Sequence, residues 1–264
     1  MLKTDIKELS VIGKKVLLSG INFELEKNNI YTVLGLNGSG KTTLIKSLTG
    51  LLDPRFYSVN GNVFFDGRDI LILDINELLS LRKDKIKYVF QDAVNSFNHL
   101  KTFGYYFERL AKDKEEINIL VKYFILPQYS ELYKLYPYEV SGGMAQRISF
   151  ILALLAHPEI IILDEPTSGI DPAISNLFLL KLKEFVNQGN HSALLVTHDI
   201  KFAEKISDKI AFLSDGKLSR FYSNEELFSS TEILSGDNTT GNPNSMDNFG
   251  LLKKFIESYK QLSL

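Results

Sequence analysis

Gly35-Leu36-Asn37-Gly38-Ser39-Gly40-Lys41-Thr42 spaces its fixed residues as G-x-x-x-x-G-K-[ST], a pattern that cradles phosphate oxygens. Glycines let the backbone turn sharply and bring its N–H groups close to an anion with no Cβ in the way. A helix expected from Thr43 points its positive end at the same place. Lys41 supplies a point charge for the terminal phosphates, and the Thr42 hydroxyl is a hard oxygen suited to Mg²⁺. The competing reading is an ordinary glycine-rich turn before a helix. The context weighs against it: an apolar, β-branched run, Ile30-Tyr31-Thr32-Val33-Leu34, precedes the loop, and helix formers follow it.

Four further constellations carry chemistry. Asp164-Glu165 directly follows the aliphatic run Ile160-Ile161-Ile162-Leu163. Carboxylates at the C-terminal end of a buried parallel strand stand where open α/β sheets bind ligands. There Asp164 can join a Mg²⁺ shell, and Glu165 can orient and deprotonate an attacking water; the alternative is a pair of solvated loop acids. Ser141-Gly142-Gly143 precedes an apolar helix, with Ser141 as its N-cap and backbone N–H groups exposed as a second anion site. Alone, these residues read equally as a capped helix. His198 ends the run Val196-Thr197 and can contact a phosphate or the attacking water, whereas a lone histidine is more often structural or exposed. Gln91 closes a strand at Val89-Phe90 and can reach the metal or the water. The remaining histidines, His99, His157 and His191, show no ligand spacing and read as structural.

The elements that must position these residues follow from hydrophobic pattern. Strands are expected at residues 16–18, 21–25, 62–67, 85–90, 160–163, 192–196 and 209–213. The continuous apolar runs among them suit strands buried on both faces. Between about residue 92 and residue 157 strand patterns give way to amphipathic helical stretches, at 107–112 and 117–124. Residues 235–248, rich in Gly, Asn, Thr and Ser, read as a mobile linker before a closing amphipathic helix at 251–262.

Composition bounds the function class. The 264 residues suffice for an α/β core with a small insertion. A net charge of −2 implies no bulk attraction to nucleic acid or anionic lipid. The absence of cysteine excludes disulfides and thiolate metal sites and fits a reducing compartment. The N-terminus lacks the apolar core of a signal peptide, and the most apolar stretch, 148–163, is interrupted well short of a membrane span. A membrane role is therefore expected to come through partners.

With these pieces in order, the chain resembles the nucleotide-binding subunit of ATP-binding cassette (ABC) transporters, over roughly residues 6 to 222. The matching stretches are GLNGSGKT (Walker A), FQD (Q-loop), SGGMAQR (signature), IIILDEP (Walker B), SGID at residues 168–171 (D-loop) and VTHD (switch histidine). The run from Phe90 to Asn98 looks like the FQDPxxSLNP stretch of the peptide and nickel importer subfamily, and Tyr136 to Met144 like its YPHELSGGM. The resemblance implies a P-loop NTPase core with an antiparallel β subdomain and an inserted α-helical subdomain. It assigns residues 1–91 and 158–234 to the core, 92–157 to the helical subdomain, and 235–264 to a linker and helix.

The same resemblance implies ATP and Mg²⁺ as ligands. Gly35 to Thr43 would hold nucleotide together with Ser141, Gly142 and Gly143 of a partner; Thr42, Gln91 and Asp164 would hold the metal; Glu165, His198 and Gln91 would act in hydrolysis. The implied assembly is a head-to-tail ATPase pair, alike or different, on two transmembrane permease subunits, with an extracytoplasmic solute-binding protein and no nucleic acid. The subunit would sit peripherally on the cytoplasmic face of the membrane. A soluble ATPase acting on ribosomes or DNA, or the ATPase of an exporter, is the alternative. Two departures stand out. The cysteine-containing tail of longer peptide importers is absent, which leans the expected solute toward nickel or a metal chelate over a peptide. Val11, Ile12 and Gly13 stand where an adenine-stacking Tyr is usual, leaving Ile12 or Val16 for an apolar contact to the base.

Overall fold

The computed structural model describes residues 1–110 and 113–228. They divide into two compact units: residues 1–78 with those from 194 onward, and residues 79–193. The linker expected at 235–248 and the helix expected at 251–262 lie outside the described residues.

In chain order the first elements are β1 (Leu2–Val11), β2 (Val16–Leu25), β3 (Ile30–Leu34), α1 (Lys41–Ser47), β4 (Tyr57–Phe65), β5 (Arg68–Asp69) and α2 (Ile75–Asp84). There follow β6 (Ile86–Val89), α3 (Ala93–Ser96), α4 (Phe103–Leu110), α5 (Lys114–Tyr123), α6 (Tyr129–Leu132) and α7 (Gly142–Leu155). The chain then forms β7 (Ile160–Asp164), α8 (Pro172–Asn187), β8 (Ser192–Thr197), α9 (Ile200–Ile206), β9 (Lys209–Ser214), β10 (Lys217–Leu218), β11 (Tyr222–Ser223) and α10 (Asn224–Phe228). Among the described residues no helix is long and apolar enough to cross a membrane.

In the first unit β1 lies between β2 and β4, antiparallel to both, and β5 extends the sheet from β4. Leu2, Thr4, Ile6 and Leu9 of β1 are buried while Lys3, Asp5 and Lys7 face solvent, the period-two pattern of a half-covered strand. The β1–β4 register shifts between Ile6 and Glu8. Gly61 is required there, because a Cβ on it would lie 2.2 Å from the Asp5 carbonyl oxygen. The runs at 16–18 and 21–25, expected as separate strands, form the single ten-residue β2, which continues through Gly20 at φ +65°. A parallel set stands apart from this sheet: β3 pairs with β9 from Tyr31↔Lys209 to Leu34↔Phe212, and residues 194–197 flank β3 on its other side. Every residue of β3 is buried, as a continuous apolar run requires.

In the second unit β6 and β7 run parallel, with Ile86 opposite Ile160 and Val89 opposite Leu163. Its centre is α7, buried along most of its length from Ala145 to Leu155 and packed against α3, α4, α5 and β6. A helix apolar on every side must be enclosed in this way. The helix expected at 107–112 begins earlier, at Phe103. Helix α2 escaped the sequence reading because Ile75 and Leu79, 62% and 54% exposed, blur its apolar period.

Candidate functional site

The phosphate-type loop belongs to the first unit. β3 delivers the chain to Gly35, whose N–H donates to the Thr197 carbonyl at 3.2 Å. The loop thus starts from the end of β8, next to His198. Gly38 (φ +82°) and Gly40 (φ +102°) occupy the left-handed region, and Gly40 opens α1 by accepting from Leu44 N–H at 2.8 Å. The turn is tight: a Cβ at Gly35 would lie 2.6 Å from Ser39 Oγ and 2.9 Å from the Leu213 carbonyl oxygen.

Two polar groups in the loop suit an anion. The buried Lys41 donates from Nζ to the Gly35 carbonyl at 2.8 Å and to that of Leu36 at 3.1 Å. This folds the ammonium against the loop it serves. Ser39 Oγ is buried with no hydrogen-bond partner among the described residues. Such a group costs about 1–3 kcal/mol, which a phosphate oxygen would relieve. Thr42 and Thr43 lie half-buried on the first turn of α1. Beside the loop an open cleft is lined by Lys15, Val16, Asn37, Thr43 and Asp215.

His198 is exposed at the end of β8. Its neighbours hold its backbone. Thr197 is buried, and its Oγ1 accepts from Asp199 N–H at 3.1 Å, while Asp199 Oδ1 caps α9 by accepting from Phe202 N–H at 3.0 Å.

The second unit carries the carboxylates. Asp164 ends β7 with 2% exposure, and Glu165 follows with 5%. Glu165 sits at φ +45°, a left-handed conformation that costs a non-glycine residue about 1–2 kcal/mol. Asp164 Oδ2 accepts a hydrogen bond from the Tyr88 hydroxyl of β6 at 2.9 Å. Burial, then the Asp164 charge and this bond, push the Tyr88 hydroxyl well above the usual tyrosine range, so it stays a donor. Sequence reasoning missed Tyr88. Its place in a strand was legible, its pairing with β7 was not.

Gln91 is exposed just beyond β6. The next residue, Asp92, caps α3, accepting from Asn95 N–H at 3.2 Å and from its side-chain amide at 2.7 Å. These bonds hold its carboxyl below the usual carboxylate range. Ser141 caps α7 by accepting from Met144 N–H at 3.2 Å. Arg147 braces that helix start, donating to the Gly143 carbonyl at 3.1 Å and the Phe124 carbonyl at 3.0 Å. A Cβ at Gly142 or Gly143 would meet no atom within 4 Å. Thus Gly35 to Thr43 and His198 come together in the first unit, while Gln91, Ser141 to Gly143, Asp164 and Glu165 belong to the second. The other histidines engage local groups: His99 the Val94 carbonyl, His191 the Pro158 carbonyl and His157 the Glu116 carboxylate.

Comparison with known proteins gives a consistent result. The family model described as ABC transporter matches residues 18–168. The dipeptide transport ATP-binding protein DppD of Bacillus subtilis (strain 168) is 31% identical over 226 residues, covering 82% of this chain and 68% of that protein. The methionine import ATP-binding protein MetN 1 of Bacillus licheniformis is 34% identical over 228 residues, covering 83% and 66%. The chain spans about two thirds of the length of these curated relatives. A solved dimeric structure of the ATP-binding cassette MJ0796, in a post-hydrolysis state bound to ADP and Pi, matches with a TM-score of 0.69 and 27% identity, covering 85% of this chain and 99% of that one.

Proposed function

The chain belongs to the ABC transporter family as one of its ATPases, and from that premise we propose that it energises import of a small solute through a membrane permease. The observation that supports this reading most directly is the Gly35–Thr43 loop, with its tight turn, inward-folded Lys41 and unsatisfied Ser39 hydroxyl.

In this reading the loop N–H groups and Lys41 bind the nucleotide phosphates, with Val16 as an apolar wall for the base. Thr42, Gln91 and Asp164 would hold Mg²⁺. When bound, that ion offsets charge on the phosphate oxygens. The donors fit it: hydroxyl, amide and carboxylate oxygens are hard ligands. Among the described residues no group of three or more His, Cys, Asp or Glu forms a cage for a metal. A small protein share suits an ion completed by substrate phosphates and water. Glu165 takes the proton of the attacking water, His198 steadies the water and terminal phosphate, and Gln91 reports their presence to α3. The protein contributes chiefly positioning and charge stabilisation.

The signature residues support a paired assembly. Glycine is a poorer helix former than alanine, and the open space around Gly142 and Gly143 supplies no reason for it within the chain. A second ATPase subunit that brings its nucleotide to Ser141, Gly142 and Gly143 does. Two permease subunits and an external solute-binding protein complete the proposed importer, with this subunit peripheral on the cytoplasmic face. Relatives named for dipeptide and for methionine match at similar identity, so the solute is proposed only as a class: a peptide, an amino acid or a metal ion or chelate.

Purification of the tagged chain from detergent-solubilised membranes tests the assembly. An integral membrane permease should copurify and alter the ATPase rate. Recovery with ribosomes or DNA instead would favour the soluble ATPase reading, and solute efflux from reconstituted vesicles would favour an exporter.

A further inference from the structure

The bond between Tyr88 and Asp164 joins two strands at the point where chemistry is expected. β6 and β7 are in parallel register, with Tyr88 opposite Ile162, so Asp164 lies diagonally ahead of Tyr88 along β7. Ile162 and Asp164 share one face of the sheet, so the offset is short enough for a long side chain to cross. The tyrosine hydroxyl spans the gap at 2.9 Å. Its ring is steadied by Phe90, the residue that follows β6, with centroids 4.4 Å apart and planes at 42°. An ordinary structural account would have this hydroxyl merely satisfy itself on a convenient acceptor. The acceptor, however, is the nearly inaccessible carboxylate that ends β7.

We propose that Tyr88 is the positioning residue for the metal-holding carboxylate, fixing the rotation of the Asp164 side chain so that it is ready for Mg²⁺. This rests on the reading of Asp164 as a Mg²⁺ ligand. Tyr88 itself touches neither metal nor nucleotide. Partners that orient a ligating carboxylate commonly change metal affinity by 10–100-fold when removed.

The test is Tyr88→Phe in the full-length chain, which removes one oxygen and keeps the ring. Binding of a fluorescent ATP analogue is titrated with Mg²⁺, and Mn²⁺ binding in the presence of nucleotide is followed by electron paramagnetic resonance. The half-saturating Mg²⁺ concentration should rise about tenfold, while metal-free nucleotide affinity stays unchanged. An unchanged Mg²⁺ requirement overturns the proposal, and a lowered melting temperature with no Mg²⁺ effect marks the bond as structural only. Asp164→Asn separates the two levels. It should raise the Mg²⁺ requirement further, and Tyr88→Phe should then add nothing to it. If Asp164→Asn leaves the Mg²⁺ requirement intact, the reading of Asp164 fails first. If it raises it while Tyr88→Phe does not, only the positioning role fails.

Discussion

The Lys41 ammonium donates to the carbonyl of Gly35 at 2.8 Å, six residues earlier in the loop. The side chain proposed to charge the phosphate site therefore also ties the two ends of its loop together. A cation bonded to backbone carbonyls is poised to exchange one of them for a phosphate oxygen at small rearrangement.

Lys41→Ala should abolish nucleotide binding, measured by calorimetry. Because the ammonium also bonds loop carbonyls, unfolding free energy should fall by about 1–3 kcal/mol, read from a denaturant titration, with the circular dichroism spectrum retained. Full ATPase activity of the variant with its partners would remove the loop from the mechanism.

Glu165→Gln should bind ATP yet hydrolyse it at least ~10²-fold more slowly, the scale expected when a general base is lost. The amide is nearly isosteric, so the left-handed backbone at this position should persist and stability should barely change. Single-turnover kinetics decide the point. Near-normal turnover would move the base elsewhere, with His198 the first candidate.

Phe97 and Leu100 should separate packing from partner contact. Phe97 is half-buried and meets Phe103 and Tyr106 edge-on, with ring centroids 5.2 Å and 5.1 Å apart, so Phe97→Glu should lower the melting temperature of the isolated chain. Leu100 is 84% exposed, and Leu100→Glu should leave the melt unchanged while reducing recovery of the permease in a pull-down. A stable Phe97→Glu protein would reverse the assignment.

Much of this was legible in the sequence because it is local. The loop, its strand and its helix lie within eighteen consecutive residues, 30–47, and the caps Asp92, Ser141 and Asp199 each bond within three residues. What escaped is long-range or masked. The Tyr88–Asp164 bond joins residues 76 apart, and only strand register places them together. The left-handed backbone of Glu165 has no glycine or asparagine to announce it. The sequence alone does not choose between core and partner anchor for Phe97, because aromatic residues serve both roles; its ring neighbours decide.

Gly142→Ala should leave the fold intact, and it should stabilise the chain by about 0.5 kcal/mol, since an added methyl meets nothing within 4 Å. ATP-dependent pairing, followed by light scattering, should nevertheless weaken. A variant more stable to urea yet impaired in pairing is the signature of a surface kept bare for another molecule. Unimpaired pairing would leave these glycines unexplained.

Helix α3 packs against α7, and each begins beside a proposed site residue: Asp92, after Gln91, caps the first, and Ser141 caps the second. The enclosed apolar length of α7 leaves little room for one helix to slip past the other, since close-packed interiors resist small displacements. Gln91 and the signature tip are thus two ends of one stiff bracket rather than independent sensors. A displacement at either end is therefore expected to reach the other as translation of the packed helices. Loosening the seam at the buried Ala93 should blunt both together.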